Sequence, residues 1–253
     1  MADRRSIEAA RGAGRAFMEQ TRYEHLSPSD QMRGLPPPPL EKPYTKGRRV
    51  VTLPSSFPSA GAVDLRTAID RRESVRSYAP EPLALDEAAF LLWSTQGVKK
   101  AVRDFYTLRT VPSAGARHAL ETYLLANRVE GLAPGLYRYL ALEHQLVEET
   151  TEIGIAGRIA EACGSQPQIT ASAVSFIWTA VAYRMTWRYG ERGYRYLHLD
   201  AGHACQNLYL AAGAIGCGTC AIAAFHDGML NELLGVDGEE EFALYVATVG
   251  KVP

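Results

Sequence analysis

A chain of 253 residues, 47% apolar and 22% charged, is long enough to bury a full core in one large domain or two small ones. Its 27 basic and 28 acidic side chains nearly cancel and are interspersed, so nothing gathers a polyanion and nucleic acid is not an expected partner. No apolar run of about 18 residues exists to span a membrane, and four cysteines are too few and too clustered for a disulfide framework, which fits a reducing cytoplasm.

Arg4-Arg5 has the look of a twin-arginine leader, but the following IEAARGAGRAFMEQ carries charges where an export segment is apolar, so export is not expected. Residues 1–63 read as an arm: a short helical beginning, then SPSD, LPPPPLEKPY and LPSSFPSAG, whose prolines forbid regular structure. The Pro36 to Pro39 run reads as an extended segment laid on a neighbouring surface, or else as a polyproline ligand for a partner. The body is expected over residues 64–253.

Within the body, Asp64 is expected to cap a helix bearing Leu65, Ala68 and Ile69 on one face and ending near Arg71-Arg72. Asp86 is expected to cap a second, AAFLLWSTQ, with Leu85 and Phe90 as a hydrophobic staple. ETYLLANRV and LYRYLAL flank the turn EGLAPG and predict an antiparallel strand pair. SAVSFIWTAV predicts a central strand buried on both faces. In LDAGHACQNLYLAAGAIG, residues Ala201, Ala204, Cys205, Leu208, Ala211, Ala212 and Ile215 recur at helical spacing; the helix is apolar on more than one side and belongs at the centre or at a subunit interface. Asp227 is expected to cap GMLNELLG, and ALYVATVG to close the chain as a strand. Irregular alternation with at least one hairpin predicts an α+β class.

Several motifs fail. Gly12-Ala-Gly14 and Gly213-Ala-Ile-Gly216-Cys-Gly218 do not follow a strand and open a helix, as a dinucleotide fingerprint requires. There is no G-x-S-x-G or H-E-x-x-H, and His198 and His203, five apart, leave one helix face; His203 reads first as a core histidine. Cys217-Gly-Thr-Cys220 reads as buried structural cysteines before a redox dithiol or half a zinc site, and no metal site is expected. Arg71-Arg72-Glu73-Ser74-Val75-Arg76-Ser77-Tyr78 offers several guanidiniums and a hydroxyl, suited to a phosphate and a polyol, although a solvated charge run is the default. PSAGARH at 112–118 is a small-residue loop whose backbone approaches a flat ligand closely.

RRESVRSY, RTVPSAGARHALETY, YRYLHLDAGHACQNLYLAAGAIGCGT, AIAAF and VATVGK, in that order over residues 64–253, resemble the motif series of nitroreductase-superfamily flavoproteins, closest to the SagB-type dehydrogenases. The resemblance implies a central, mainly antiparallel sheet surrounded by helices, dimerising through its long central helix, with FMN at the interface of a homodimer. Arg72, Ser74 and Arg76 match positions that hold the FMN phosphate and ribityl chain, and Lys251 a C-terminal phosphate contact. Pro112, Ser113, Ala114, Gly115 and Ala116 match the loop that lies along the flavin of the opposite subunit. Ile222, Ala223, Ala224 and Phe225 match the segment whose backbone N–H faces the flavin. Gln206 with Asn207 matches a common helical pair, structural first and a ribityl contact second. In peptide azoline oxidases of this branch a Lys-Tyr pair is the acid/base machinery; here Arg188-Tyr189 stands there, and Tyr189 is the candidate catalytic side chain, because a guanidinium is no base at neutral pH.

The resemblance thus implies hydride transfer between NADH or NADPH and a small-molecule acceptor such as a nitroaromatic or quinone. The alternatives are a peptide azoline dehydrogenase using Tyr189, and a flavin-binding or peptide-docking protein without turnover whose contact is the Pro-rich arm.

Overall fold

A computed structural model describes residues 12–103 and 105–253; the leader reading at Arg4-Arg5 lies outside the described residues. The chain first forms helix α1 (Ala13–Gln20), strand β1 (Val50–Thr52), and helices α2 (Leu65–Arg71) and α3 (Leu85–Gln96). A small hairpin follows, β2 (Val98–Val102) with β3 (Tyr106–Arg109), then strands β4 (Leu120–Ala126), β5 (Gly135–Leu140) and β6 (Gln145–Thr150). Helices α4 (Ile155–Ala162) and α5 (Gln168–Ala171) lead to β7 (Val174–Val181), α6 (Ala182–Tyr189) and the long α7 (Gly193–Ala214). Strand β8 (Cys217–Ile222), α8 (Asp227–Leu234) and β9 (Glu241–Lys251) complete the chain.

Seven strands form one sheet in the order β1-β6-β5-β4-β7-β9-β8, with every pairing antiparallel. The sheet is buried on both sides, and the two-residue alternation of its strands divides the core. Phe176 and Trp178 of β7 join α3 and α7 in one layer, while Ile177 joins α4 and α8 in the other. Strand β7 is therefore buried on both faces along nearly its whole length, as SAVSFIWTAV predicts, and the β4–β5 pair is the hairpin expected around EGLAPG. Cys217 and Cys220, an odd number of residues apart on β8, face opposite sides of the sheet; both are buried and free, which suits a structural reading and not a dithiol.

Three local expectations need correction. Asp64 caps α2 as expected, accepting from Thr67 N–H at 3.0 Å, but Asp86 does not cap α3. That helix starts one residue earlier; Glu87 Oε2 accepts from Ala84 N–H at 3.0 Å, leaving Asp86 in the first turn, where it takes Ser59 N–H at 2.9 Å. Asp227 is likewise the first residue of α8, behind His226 as N-cap. His203 is exposed and no core histidine, because it shares the outer side of α7 with Gly202 and Gln206.

The arm lies across its own body. Proline-rich chain makes no internal hydrogen bonds, so its carbonyls need donors elsewhere. Leu35 O takes Trp187 Nε1 at 3.1 Å, Pro39 O takes Arg184 Nε at 2.9 Å, and Lys42 and Pro43 O take Arg138 Nη1 and Nη2 at 2.9 and 3.1 Å. Both arginines are buried and meet Glu121, Arg184 at 2.6 Å and Arg138 at 3.5 Å. Beyond the prolines the arm does form regular structure, because Val50 to Thr52 pair with the otherwise open edge of β6.

Candidate active site

The Arg72 to Arg76 segment is laid along β8, the edge strand. Ser74 bridges Thr219 in parallel, and Val75 N–H donates to Thr219 O at 2.9 Å. This closeness needs Gly218, where a β-carbon would fall 2.5 Å from Val75 Cβ. From α7, Tyr209 braces the segment: its hydroxyl lies 3.0 Å from Ser74 Oγ and accepts Ala221 N–H at 2.9 Å, while the Arg72 guanidinium stands 5.6 Å from its ring centroid.

Arg72, Ser74 and Arg76 are exposed, and neither arginine is ion-paired among the described residues. Lys251, in register with Cys217, places Nζ 2.5 Å from Glu87 Oε1 and 3.1 Å from Ile215 O. Burial, the largest single influence, lowers the Lys251 pKa, but the hydrogen bonds and charges of Glu87 and Cys217 together outweigh it and the net direction is upward, so the ammonium is retained. Two unpaired guanidiniums, a hydroxyl and this ammonium fit a phosphate group. Where β8 ends, Ile222 is buried, Ala223 and Ala224 are exposed and Phe225 is half-buried. The N–H groups of Ala224 and Phe225 donate to no acceptor among the described residues. Gln206 is exposed one turn before Tyr209, while Asn207 Nδ2 ties α7 to α3 through Ser94 O at 2.9 Å.

The second group of expected residues, Pro112 to Ala116, sits elsewhere. Its turn is held by Asp200 of α7, whose Oδ1 accepts Ala114 N–H at 3.2 Å. Burial raises the Asp200 pKa, partly offset by Ser113, Ala114 and His203, and its Oδ2 is buried without a hydrogen-bond partner. Gly115 has a φ of 57°, and a β-carbon there would lie 2.5 Å from the Tyr189 hydroxyl and 2.8 Å from Arg188 Cδ and Nε. Glycine is thus required both by the backbone and by the close approach of Arg188-Tyr189. Tyr189 also packs edge-on against Tyr196, with centroids 4.9 Å apart. Asp200 and Tyr209 are nine residues apart, about 14 Å along the helix axis at 1.5 Å per residue, so one subunit keeps the loop and the cation cluster apart.

The nitroreductase family profile matches residues 69–251. The chain belongs to the nitroreductase family. A protein of Methanocaldococcus jannaschii named as a candidate nitroreductase is 34% identical over 200 residues, covering 79% of this chain and 97% of the relative. The trifolitoxin-processing protein TfxB of Rhizobium leguminosarum bv. trifolii is 29% identical over 175 residues, 65% of this chain and 46% of its own. A solved structure from Anabaena variabilis, also a candidate nitroreductase, superposes with a TM-score of 0.67 at 27% identity, covering 82% of this chain and 42% of that one. The present chain thus spans under half the length of the last two. The antiparallel sheet with helices on both faces is the nitroreductase fold, of α+β class.

Two residues that build this site, Tyr209 and Asp200, lie within the long helix motif without standing out as site residues. Tyr209 lies in a helix whose small and apolar neighbours make it read as core. Asp200 had a usable signal, being the single acid of the long helix.

Proposed function

We propose that this nitroreductase-family oxidoreductase is an FMN-dependent homodimer that passes reducing equivalents from NADH or NADPH to a small-molecule acceptor such as a nitroaromatic or quinone. The observation that carries this reading is the pair of exposed, unpaired guanidiniums, Arg72 and Arg76, flanking a serine braced by Tyr209. Arg72, Arg76 and Lys251 would neutralise the phosphate and Ser74 would meet it or the ribityl chain, with Gln206 as a further polar contact. The free N–H groups after Ile222 are donors for the ring system, and the Pro112 to Ala116 turn of the opposite subunit would cover it. FMN held by these residues would supply two-electron hydride chemistry. The protein's own part is to hold donor and acceptor close, about 3–3.5 Å between reacting atoms, and to leave proton delivery to solvent.

A yellow protein with one FMN per subunit is expected, and a colourless protein that takes up no added FMN would sink the reading. Arg72→Ala should weaken FMN binding by about 1.5–3 kcal/mol, roughly 10- to 150-fold. Unchanged affinity by fluorescence titration would contradict the assignment.

Two observations favour a second reading, peptide azoline oxidation: the Tyr189 hydroxyl lies against Gly115, in the turn assigned to the flavin, and a relative is named for trifolitoxin processing. Arg188 in place of a lysine removes one basic group from that chemistry.

A further inference from the structure

Three arginines gather near the Gly115 turn. Arg117 is 6% exposed and lies between the Phe105 and Trp187 rings, at 5.3 and 5.2 Å. Its hydrogen bonds go to carbonyls, Gly115 O at 3.2 Å and Phe105 O at 2.9 Å. Arg188 is half-buried and has neither an ion pair nor a hydrogen bond among the described residues; only the Tyr189 ring, 5.6 Å away, faces its guanidinium. Arg192 donates to Tyr196 Oη at 2.8 Å and to Thr21 O at 2.9 Å. Among the described residues no carboxylate pairs with any of the three. Arg117 senses the crowding: burial first, then the Arg188 charge, lowers its pKa. Cations gathered without an acid usually await an anionic ligand.

The space beside them has a shape. A cavity of about 510 Å³ lies under the Lys42 to Arg48 stretch of the arm, but it has glutamates to match its arginines. A groove of about 480 Å³ between the arm and the α6–α7 corner does not. Its walls include Tyr23, Met32, Tyr189 and Tyr196, its polar floor Arg188 and Arg192, and no acid lines it. Aromatic walls with two guanidiniums recognise a flat ring bearing a negative charge. Tyr189 belongs both to this groove and to the contact with Gly115, so the groove opens beside the turn assigned to the flavin.

The geometry points to this groove as the acceptor subsite, selecting planar aromatic carboxylates, with Arg188 as the residue that recognises the carboxylate. This rests on the reading of the neighbouring turn as part of a flavin site. An acceptor with a carboxylate on its ring would lie against the tyrosine walls and leave its reducible group toward the Gly115 turn.

The test uses a pair that cannot be reduced and differs only in charge, 2-naphthoate and its neutral isostere 2-naphthamide. Binding to the purified full-length protein is measured by calorimetry, and flavin content separately by absorbance, so loss of the flavin reading and loss of this subsite are told apart. Wild type should prefer naphthoate by about tenfold or more, the value of a charge-assisted contact. Arg188→Gln should level the two ligands with its flavin content unchanged, and Arg188→Lys should keep part of the preference. Equal affinity in wild type, or a preference that survives Arg188→Gln, would overturn the proposal.

Discussion

The Tyr209 hydroxyl meets Ser74 and Ala221 while its ring supports Arg72, so one phenol orients both a hydroxyl and a cation of the proposed phosphate site. Tyr209→Phe keeps the ring and removes the hydroxyl; a fall in FMN affinity of about tenfold is expected as Ser74 and Ala221 lose their hydrogen-bond partner, and equal affinity would reduce Tyr209 to packing. Tyr189 separates the two functional readings. A nitro or quinone reductase draws its proton from solvent, so Tyr189→Phe should leave flavin reduction by NADH or NADPH nearly intact in stopped flow. Peptide oxidation lost by about 10²–10⁴ in the same variant would favour the azoline reading instead. At this scale the sequence exposes the residues proposed to face ligand, since RRESVRSY and PSAGA stand out as charge and small-residue clusters. It hides those that hold them, because Tyr209 and Asp200 act through partners 135 and 86 positions away.

Elements that bury a clear pattern are legible from sequence: β4, β5, β7 and α7 are long, apolar and correctly typed. Strands β1, β2 and β6 escape because they are short or polar, QLVEET and VKKAV among them, and owe their form to a partner strand instead of to their own residues. The arm escapes for a related reason: its fixed path comes from Arg138 and Arg184 in the body, each waiting with a buried carboxylate behind it. Glu41 belongs to this contact and is strained electrically. Burial raises its pKa from 4.5 to about 7, with Leu142 N–H pulling it down and Glu121 and Glu143 pushing it up. The folded arm therefore binds more protons than the unfolded chain between those values, and Glu41's contribution to stability falls as pH rises through about 7. Glu41→Gln retains an acceptor for Leu142 and should raise the Tm at about pH 8, with a smaller difference at about pH 5. A variant less stable than wild type at the higher pH would contradict this.

For the molecule as a whole, α7 presents outward a line of Leu199, Gly202, His203, Gln206 and Gly213, with Leu199 58% exposed. A homodimer joined along this line should sediment as two 27.7 kDa chains, and Leu199→Arg should release monomer that retains little FMN. A stable, FMN-loaded monomer would refute the arrangement. The spacing of Asp200 and Tyr209 on that helix carries a genetic signature. If each site takes its turn from one subunit and its cations from the other, two dead proteins can rescue each other. Chains carrying Gly115→Val and chains carrying Arg72→Ala, unfolded and reassembled in equal amounts, pair as hybrids half the time, and each hybrid holds one intact site and one doubly damaged site. About a quarter of wild-type turnover should return from parents that have little alone. Defects confined to a single subunit's site would show no such recovery.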